Sequence, residues 1–283
     1  MARVVILMQE NKTPDFYFPT LAAWGANIQN RGNLLATPPL PDPPHDRDAW
    51  VHYRMGDYPA TTLQIDNDTL LPCYSWLAKQ FTYCDYHFGL GTNSTPGHML
   101  AVGGQTPTLR NPPASTSPVW DLPTLFKHVE AGGHTWGAFT GTDLYPLKYY
   151  KELSDPASRK NIHTSTQPAD DAFTAMAAAG TLPDFCFVWS PAGFQLIGGS
   201  RIPMLVFGGQ VKQGIDTRWH SHAVIAKTVI DVFGLGPFGV PRVDTSPSLA
   251  GRIDATLAQW WAPSRRNCRP GSSRPAEVGS RNG

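Results

Sequence analysis

The chain has 283 residues, 41% of them hydrophobic and 16% charged, with a formal net charge of +1. That length supports one sizeable core or two small ones, and so small a charge offers no field to draw the protein to nucleic acid or an anionic membrane, so neither is expected as a partner. No run approaches the roughly 18 apolar residues of a membrane helix, and Cys73, Cys84, Cys186 and Cys268 lack the Cys-x-x-Cys pairing of a zinc knuckle or a disulfide framework.

In chain order, Val4-Val5-Ile6-Leu7-Met8 reads as a strand buried on both faces. It stops at Glu10 and Asn11, and a helix start follows, with Asn11 or Thr13 as N-cap and Pro14 at the first helical position. Met1 is followed almost at once by this strand. No secretory leader is visible, which predicts a cytoplasmic protein unless the start has been trimmed. Residues from Thr20 to Leu35 carry apolar side chains at roughly helical spacing. Residues 36–62 form a proline-rich loop containing His45-Asp46-Arg47-Asp48, long enough to suggest function.

Further on, Cys73 to Phe81 reads as a helix and Phe81 to Phe88 as a strand. Ser94-Thr95-Pro96 opens a helix with Ser94 as N-cap, Leu122 to Ala131 is a helix closed by Gly132-Gly133, and His134 to Phe139 is a strand. Asp170 to Ala179 is an amphipathic helix ended by Gly180. Pro183 to Trp189 and Pro203 to Phe207 are strands, and His222 to Phe233 is a helix. Alternating strands and helices predict an α/β domain over residues 1–262, with a mostly parallel central sheet flanked by helices. Residues 263–283 read as a disordered basic tail, since Ser264 to Gly283 holds five Arg, one Glu and almost nothing apolar. A Cys73–Cys84 bridge stays open on sequence alone, as does the oligomeric state.

Chemistry concentrates where strands end, because ligands of open α/β sheets bind at the carboxyl ends of the strands. Glu10 and Asn11 offer the hard oxygen ligands that a divalent cation takes. A serine hydroxyl needs activation by a base or a metal, and a helix N-terminus favours the charge of a phosphoryl group, so Ser94 is a candidate nucleophile as well as an N-cap. His45 sits in a loop, where an imidazole near its ordinary pKa can protonate a leaving alkoxide, with Asp46 or Asp48 as candidates to orient the ring.

Four segments carry a family resemblance. Glu10-Asn11-Lys12-Thr13-Pro14-Asp15-Phe16-Tyr17-Phe18 resembles the Glu-Asn-x-Ser-Phe-Asp-x-Tyr-Phe signature of the bacterial phosphoesterases, the family of phospholipases C and acid phosphatases with an alkaline-phosphatase-like α/β fold. Gly91-Thr92-Asn93-Ser94-Thr95-Pro96-Gly97-His98 is similar to the segment bearing that family's metal-bound nucleophile, which falls on Ser94; Gly97-His98 replaces the commoner Asn-His or Asn-Arg. Pro43-Pro44-His45 resembles its active-site histidine loop. Gly199-Ser200-Arg201-Ile202-Pro203 and His220-Ser221-His222 resemble a late strand and the histidine before a late helix. The resemblance implies a metal-assisted phosphoric mono- or diester hydrolase. Ser94 would be nucleophile and ligand, Glu10 and Asn11 further ligands of a divalent metal ion, and His45 and His222 catalytic. The substrate would be a phosphate-ester small molecule or a phospholipid headgroup.

One block of the family pattern is absent. An Asp-Asp-x-Gly-Gly-x-x-Asp-His segment belongs between Trp189-Ser190-Pro191 and Gly199-Ser200-Arg201, where this chain has only Ala192 to Gly198. The adjacent pair Asp170-Asp171 opens a helix without a following Gly-Gly and is not its equivalent. A catalytically impaired member acting as a binding module is therefore the alternative. A Ser-His-Asp esterase is a weaker third reading, because no Gly-x-Ser-x-Gly elbow surrounds Ser94.

Overall fold

The computed structural model describes residues 3–8, 13–30, 32, 34–35, 64–89, 93–113, 115–166, 170–189, 201–254 and 256. Its strands are β1 (Val4–Met8), β2 (Leu34–Leu35), β3 (Gln64–Ile65), β4 (Thr82–Cys84), β5 (His87–Phe88), β6 (Trp136–Gly141), β7 (Ile162–Ser165), β8 (Phe185–Trp189), β9 (Met204–Val206), β10 (Gly214–Asp216) and β11 (His220–Ser221). Its helices are α1 (Pro14–Tyr17), α2 (Asn67–Leu70), α3 (Pro72–Gln80), α4 (Ser94–Gly103), α5 (Leu125–Ala131), α6 (Pro156–Arg159), α7 (Asp170–Ala178), α8 (Ala223–Phe233) and α9 (Pro241–Asp244).

The central sheet has the order β1-β8-β6-β7 with every pair parallel, and Val4 faces Phe185, Met8 faces Trp189 and Phe139 faces Val188 across the register. Strand alternation sends Val4, Ile6, Met8, Phe185, Phe187 and Trp189 to one face, into the main core with residues of α4, α5 and α8. Phe139, Cys186 and Val188 point the other way, against Phe173 and Met176 of α7. Covered on both faces, β8 is buried along its whole length. In α8, Ala226, Val229 and Ile230 at i, i+3 and i+4 form the buried stripe. The α/β class with a mostly parallel, helix-flanked sheet is the one expected from sequence. Among the described residues no helix is long and apolar enough to cross a membrane.

Several expectations need correction. β1 is not buried on both faces: Val5 and Leu7 are 40% and 52% exposed, because among the described residues β1 pairs with β8 alone and only its inward residues meet the core. The helical reading of Thr20 to Leu35 fails because a 3-10 turn, Pro19–Trp24, ends at Gly25 with φ +87°, a conformation that suits glycine, and Leu34–Leu35 is extended against β3. The single strand expected from Phe81 to Phe88 is broken at Asp85-Tyr86. β4 pairs with β9 and β10, whereas β5 pairs with β11. Cys73 and Cys84 form no disulfide. Both are free thiols, and burial pushes the Cys84 thiol up to about 12. The helix at α6 and the strand at β7 were not anticipated; Asp155 starts α6 by accepting from the backbone N–H of Ala157 and Ser158. The proline-rich loop at 36–62, the shortened stretch near 190–198 and the basic tail at 263–283 lie outside the described residues.

Candidate active site

The candidate nucleophile is fixed by α4, whose ten residues are all buried. The helix is capped one residue earlier than the sequence suggests. Asn93 is the N-cap, with extended φ −75° and ψ 173°, and Ser94 is the first helical residue. This corrects the N-cap reading of Ser94, whose hydroxyl is not needed to start the helix. At the other end Gly104 stops α4 in the left-handed region at φ +69°, where an added Cβ would stand 2.1 Å from a methyl of Val243.

The first turn of α4 lies over the carboxyl ends of two central strands. Trp189, last residue of β8, donates from Nε1 to His98 Nδ1 at 3.1 Å. Tyr145, four residues beyond β6, donates its hydroxyl to Thr95 Oγ1 at 3.3 Å, and its ring meets His98 edge-on at 5.2 Å. Ser94 and His98 are one turn apart on the same helix face. Met8 faces Trp189 in the β1–β8 register, so Glu10 follows by two residues the strand end that neighbours this cluster. Of the N-terminal amides, Thr95 N–H is taken by Asn111 Oδ1 at 2.8 Å and Pro96 has none, so the helix dipole is the larger part of any attraction for an anion here.

Four histidines are buried around this turn: His87, His98, His220 and His222, each 1% exposed or less. Indole N–H is only a donor, so His98 Nδ1 is an acceptor and its proton sits on Nε2. Burial pushes His98 down to about 3, with His222 close enough to add to the shift, and pushes His222 down to about 4. His222 stands at the N-cap of α8, where the helix dipole also disfavours a cation. Its Nδ1 lies 3.3 Å from His87 Nε2.

His220 is held differently. Its Nε2 lies 3.2 Å from Asp216 Oδ1. Asp216 is buried and also accepts from Arg218 Nε at 2.9 Å, Arg218 Nη2 at 2.5 Å and Arg252 Nε at 3.0 Å. Burial alone would raise this carboxyl, yet the bonds from Arg218, Arg252 and His220 outweigh it and hold it well below the usual carboxylate range. Burial lowers His220 in spite of Asp216.

Of the residues singled out from sequence, Ser94 and His222 stand on neighbouring helices, α4 and α8, which pack together. Glu10, Asn11 and His45 lie outside the described residues. Asp15 of the first motif and Arg201 of the late one, 186 positions apart, form an ion pair; Arg201 Nη1 also donates to Asn27 O at 2.6 Å. The next residue, Ile202, donates its N–H to His87 O at 2.9 Å, so the late motif braces the strand that leads to Ser94. His87, Trp189 and Tyr145 escaped the sequence reading. Their only signals were a polar residue in an apolar run and two aromatics just beyond strand ends.

A hard divalent cation needs about six ligands, rich in carboxylate oxygen. Among the described residues no group of three or more His, Cys, Asp or Glu can hold a metal ion. The groups about the first turn of α4 are imidazole, indole and hydroxyl. They do not make such a site by themselves.

The model of the phosphoesterase family matches residues 45–195, just over half of the chain, including His45, Ser94 and the whole of α4 and β8. No curated protein matches the chain. The match supports hydrolysis of phosphate esters as the class of activity. The chain belongs to the phosphoesterase family.

Proposed function

We propose that the protein hydrolyses a phosphoric mono- or diester, of a small molecule or a phospholipid headgroup, through a phosphorylated Ser94. The observation that carries this reading is the setting of Ser94. It is the first residue of a buried ten-residue helix, over the carboxyl ends of β6 and β8, with the neutral imidazole of His98 one turn along its own face. Ser94 gives its hydroxyl proton to solvent as Oγ bonds to phosphorus, and the bond from phosphorus to the leaving oxygen breaks as His45 protonates that oxygen. Water then attacks phosphorus and returns a proton to Ser94 Oγ, releasing phosphate from a monoester or a phosphomonoester from a diester while His45 is reprotonated from solvent. Neutral His222 accepts a hydrogen bond from that water. Glu10, Asn11 and Ser94 would hold a divalent ion, which when bound lowers the pKa of the serine hydroxyl and offsets phosphoryl charge. The position of Glu10 and Asn11 just past β1 and the resemblance of residues 10–18 support that assignment.

The test is hydrolysis of aryl phosphate mono- and diesters by the purified protein, with a panel of divalent ions, with chelator, and with Ser94→Ala. Turnover that needs a divalent ion and falls at least ~10³-fold in Ser94→Ala is expected; retained turnover in Ser94→Ala removes the nucleophile. The absent Asp-Asp block favours a second reading, a member of the family that binds its ligand without turnover. A folded protein that binds phosphate esters but hydrolyses none of them with any ion would establish it.

A further inference from the structure

His87 is a buried titratable group for which this chemistry has no use. It is 1% exposed, at the start of β5, six residues before the N-cap of α4. Its backbone is held on both sides: its carbonyl accepts from Ile202 N–H at 2.9 Å, and β11 runs alongside with His220 as its register partner. Its side chain turns inward to His222. The nitrogens are 3.3 Å apart, and the rings meet nearly edge-on at 65° with centroids 5.1 Å apart.

A hydrogen bond between two imidazole nitrogens contains one proton. Either His222 Nδ1–H donates to His87 Nε2, or His87 Nε2–H donates to His222 Nδ1. In both arrangements Nδ1 of His222 is engaged. Each ring keeps one buried nitrogen without a hydrogen-bond partner among the described residues, His87 Nδ1 and His222 Nε2, and only the second belongs to the ring at the N-cap of the helix packed on α4. A buried polar atom left without a partner costs about 1–3 kcal/mol, so the His222 ring is set up for a partner that the described residues do not supply.

Among the described residues neither ring is hydrogen-bonded to a carboxylate, the usual support of an imidazole. The titratable groups facing the pair are His220 on β11 and His98 on α4. The nearest anchored acid, Asp216, is committed to Arg218, Arg252 and His220. Asp85, two residues before His87, receives Asn27 N–H at 2.6 Å. Burial keeps both rings neutral.

Resting on the reading of Ser94 as nucleophile, we propose that His87 is a positioning residue: it fixes the ring plane of His222 and reserves Nδ1, so that Nε2 is the nitrogen presented to the phosphoryl centre at α4. His87 itself touches no substrate. Because either ring can donate, the pair can present a lone pair or an N–H at that one position without moving a side chain.

The experiment compares wild type, His87→Phe and His87→Gln on an aryl phosphate, together with ¹⁵N NMR of the ring nitrogens in the resting full-length protein. Phe fills the space without a hydrogen bond, whereas the Gln amide can donate or accept. The expected result is a roughly 10–100-fold fall in kcat with KM unchanged for His87→Phe, recovery of at least about a tenth of wild-type kcat for His87→Gln, and loss of the hydrogen-bonded Nδ1 signal of His222 in His87→Phe only. Unchanged kcat in His87→Phe, or a wild-type His222 whose Nδ1 is not hydrogen-bonded, overturns the proposal. Should His87→Phe fail to fold, the wild-type NMR still decides the Nδ1 bond, and kcat in His87→Gln at or below background overturns the rescue. Retained turnover in Ser94→Ala defeats the serine reading alone, since the NMR result does not depend on which group attacks phosphorus.

Discussion

His220 and His222 stand two residues apart, both fully buried, and are supported by opposite chemistry. His220 leans on an ionised carboxylate that also grips Arg218 and Arg252. His222 leans on another neutral ring. An ionised carboxylate only accepts, so His220 is committed to carrying its proton on Nε2. An imidazole partner commits to neither direction, so the His87–His222 pair has two proton arrangements. The difference assigns the two residues to different work. The first ties β10, β11 and the segment around Arg252 together, and the second leaves an adaptable nitrogen on a buried ring at the N-cap of the helix that packs against α4.

The comparison breaks most visibly at Asp216. Asp216→Asn removes the charge shared by Arg218, Arg252 and His220 and is expected to lower the unfolding free energy by about 3 kcal/mol, the smaller end for a broken buried pair because both arginines are partly solvated. A lower urea midpoint at unchanged slope is the readout, and the ¹⁵N signals of His222 should not move. An unchanged midpoint would mean that the cluster contributes nothing to stability.

Acid separates the two supports along the pH axis. Well above pH 6.5, His87, His98 and His222 are neutral folded or unfolded. Their folded pKa values are depressed, so below 6.5 the unfolded chain takes up protons first and stability falls with pH, levelling only near the folded values of about 4 for His222 and about 3 for His98. Each unit of depression corresponds to about 1.4 kcal/mol. Asp216 behaves differently: its contribution is complete above the ordinary carboxylate pKa and is lost only as pH falls below it. Urea midpoints measured from pH 7.5 to 4.5 should therefore fall in wild type, and at least as steeply in Asp216→Asn, where His220 loses the carboxylate that raises its pKa. A flat midpoint over that range would contradict burial of the neutral rings.

The mildest perturbation is Trp189→Phe, which deletes the N–H given to His98 while keeping an aromatic ring against Phe187, now stacked at 4.1 Å. About 1 kcal/mol of stability should be lost in thermal unfolding, and His98 should no longer be held to one tautomer in its ¹⁵N spectrum. A cost several times larger would assign Trp189 to packing instead.

Much of this was legible in the sequence where local pattern and burial agree. The apolar run Phe185 to Trp189 is a strand covered on both faces, and the stripe Ala226, Val229, Ile230 is the inner face of a helix. Thr13 and Pro14 start α1 as their types dictate. Pattern misled where tertiary context decides. Val4 to Met8 has the composition of a central strand, yet β1 pairs on one side only. Phe81 to Phe88 has strand composition throughout, but Asp85 turns inward to Asn27 and splits it between two sheets. At the candidate site, Ser94 and His222 stand out in the sequence because motifs surround them, and both are buried on elements that pack together. His87 does not stand out, since nothing in Tyr86-His87-Phe88 distinguishes a surface imidazole from one aimed at a residue 135 positions away. The ion pair between Asp15 and Arg201 likewise joins two motifs whose spacing alone gave no hint of contact.

β1 also sets a timetable for biosynthesis. Val4 pairs with Phe185 and Met8 with Trp189, so the strand that opens the chain waits 181 residues for its partner to leave the ribosome. At about 5–20 residues per second that wait is roughly 10–35 s, with a five-residue apolar segment meanwhile unpaired. The wait ends with the synthesis of the same strand whose last residue, Trp189, orients His98. The sheet and the floor of the candidate site are thus completed in one late event, and a nascent chain released before that point would carry Ser94 on a helix without β8 and Trp189 beneath it.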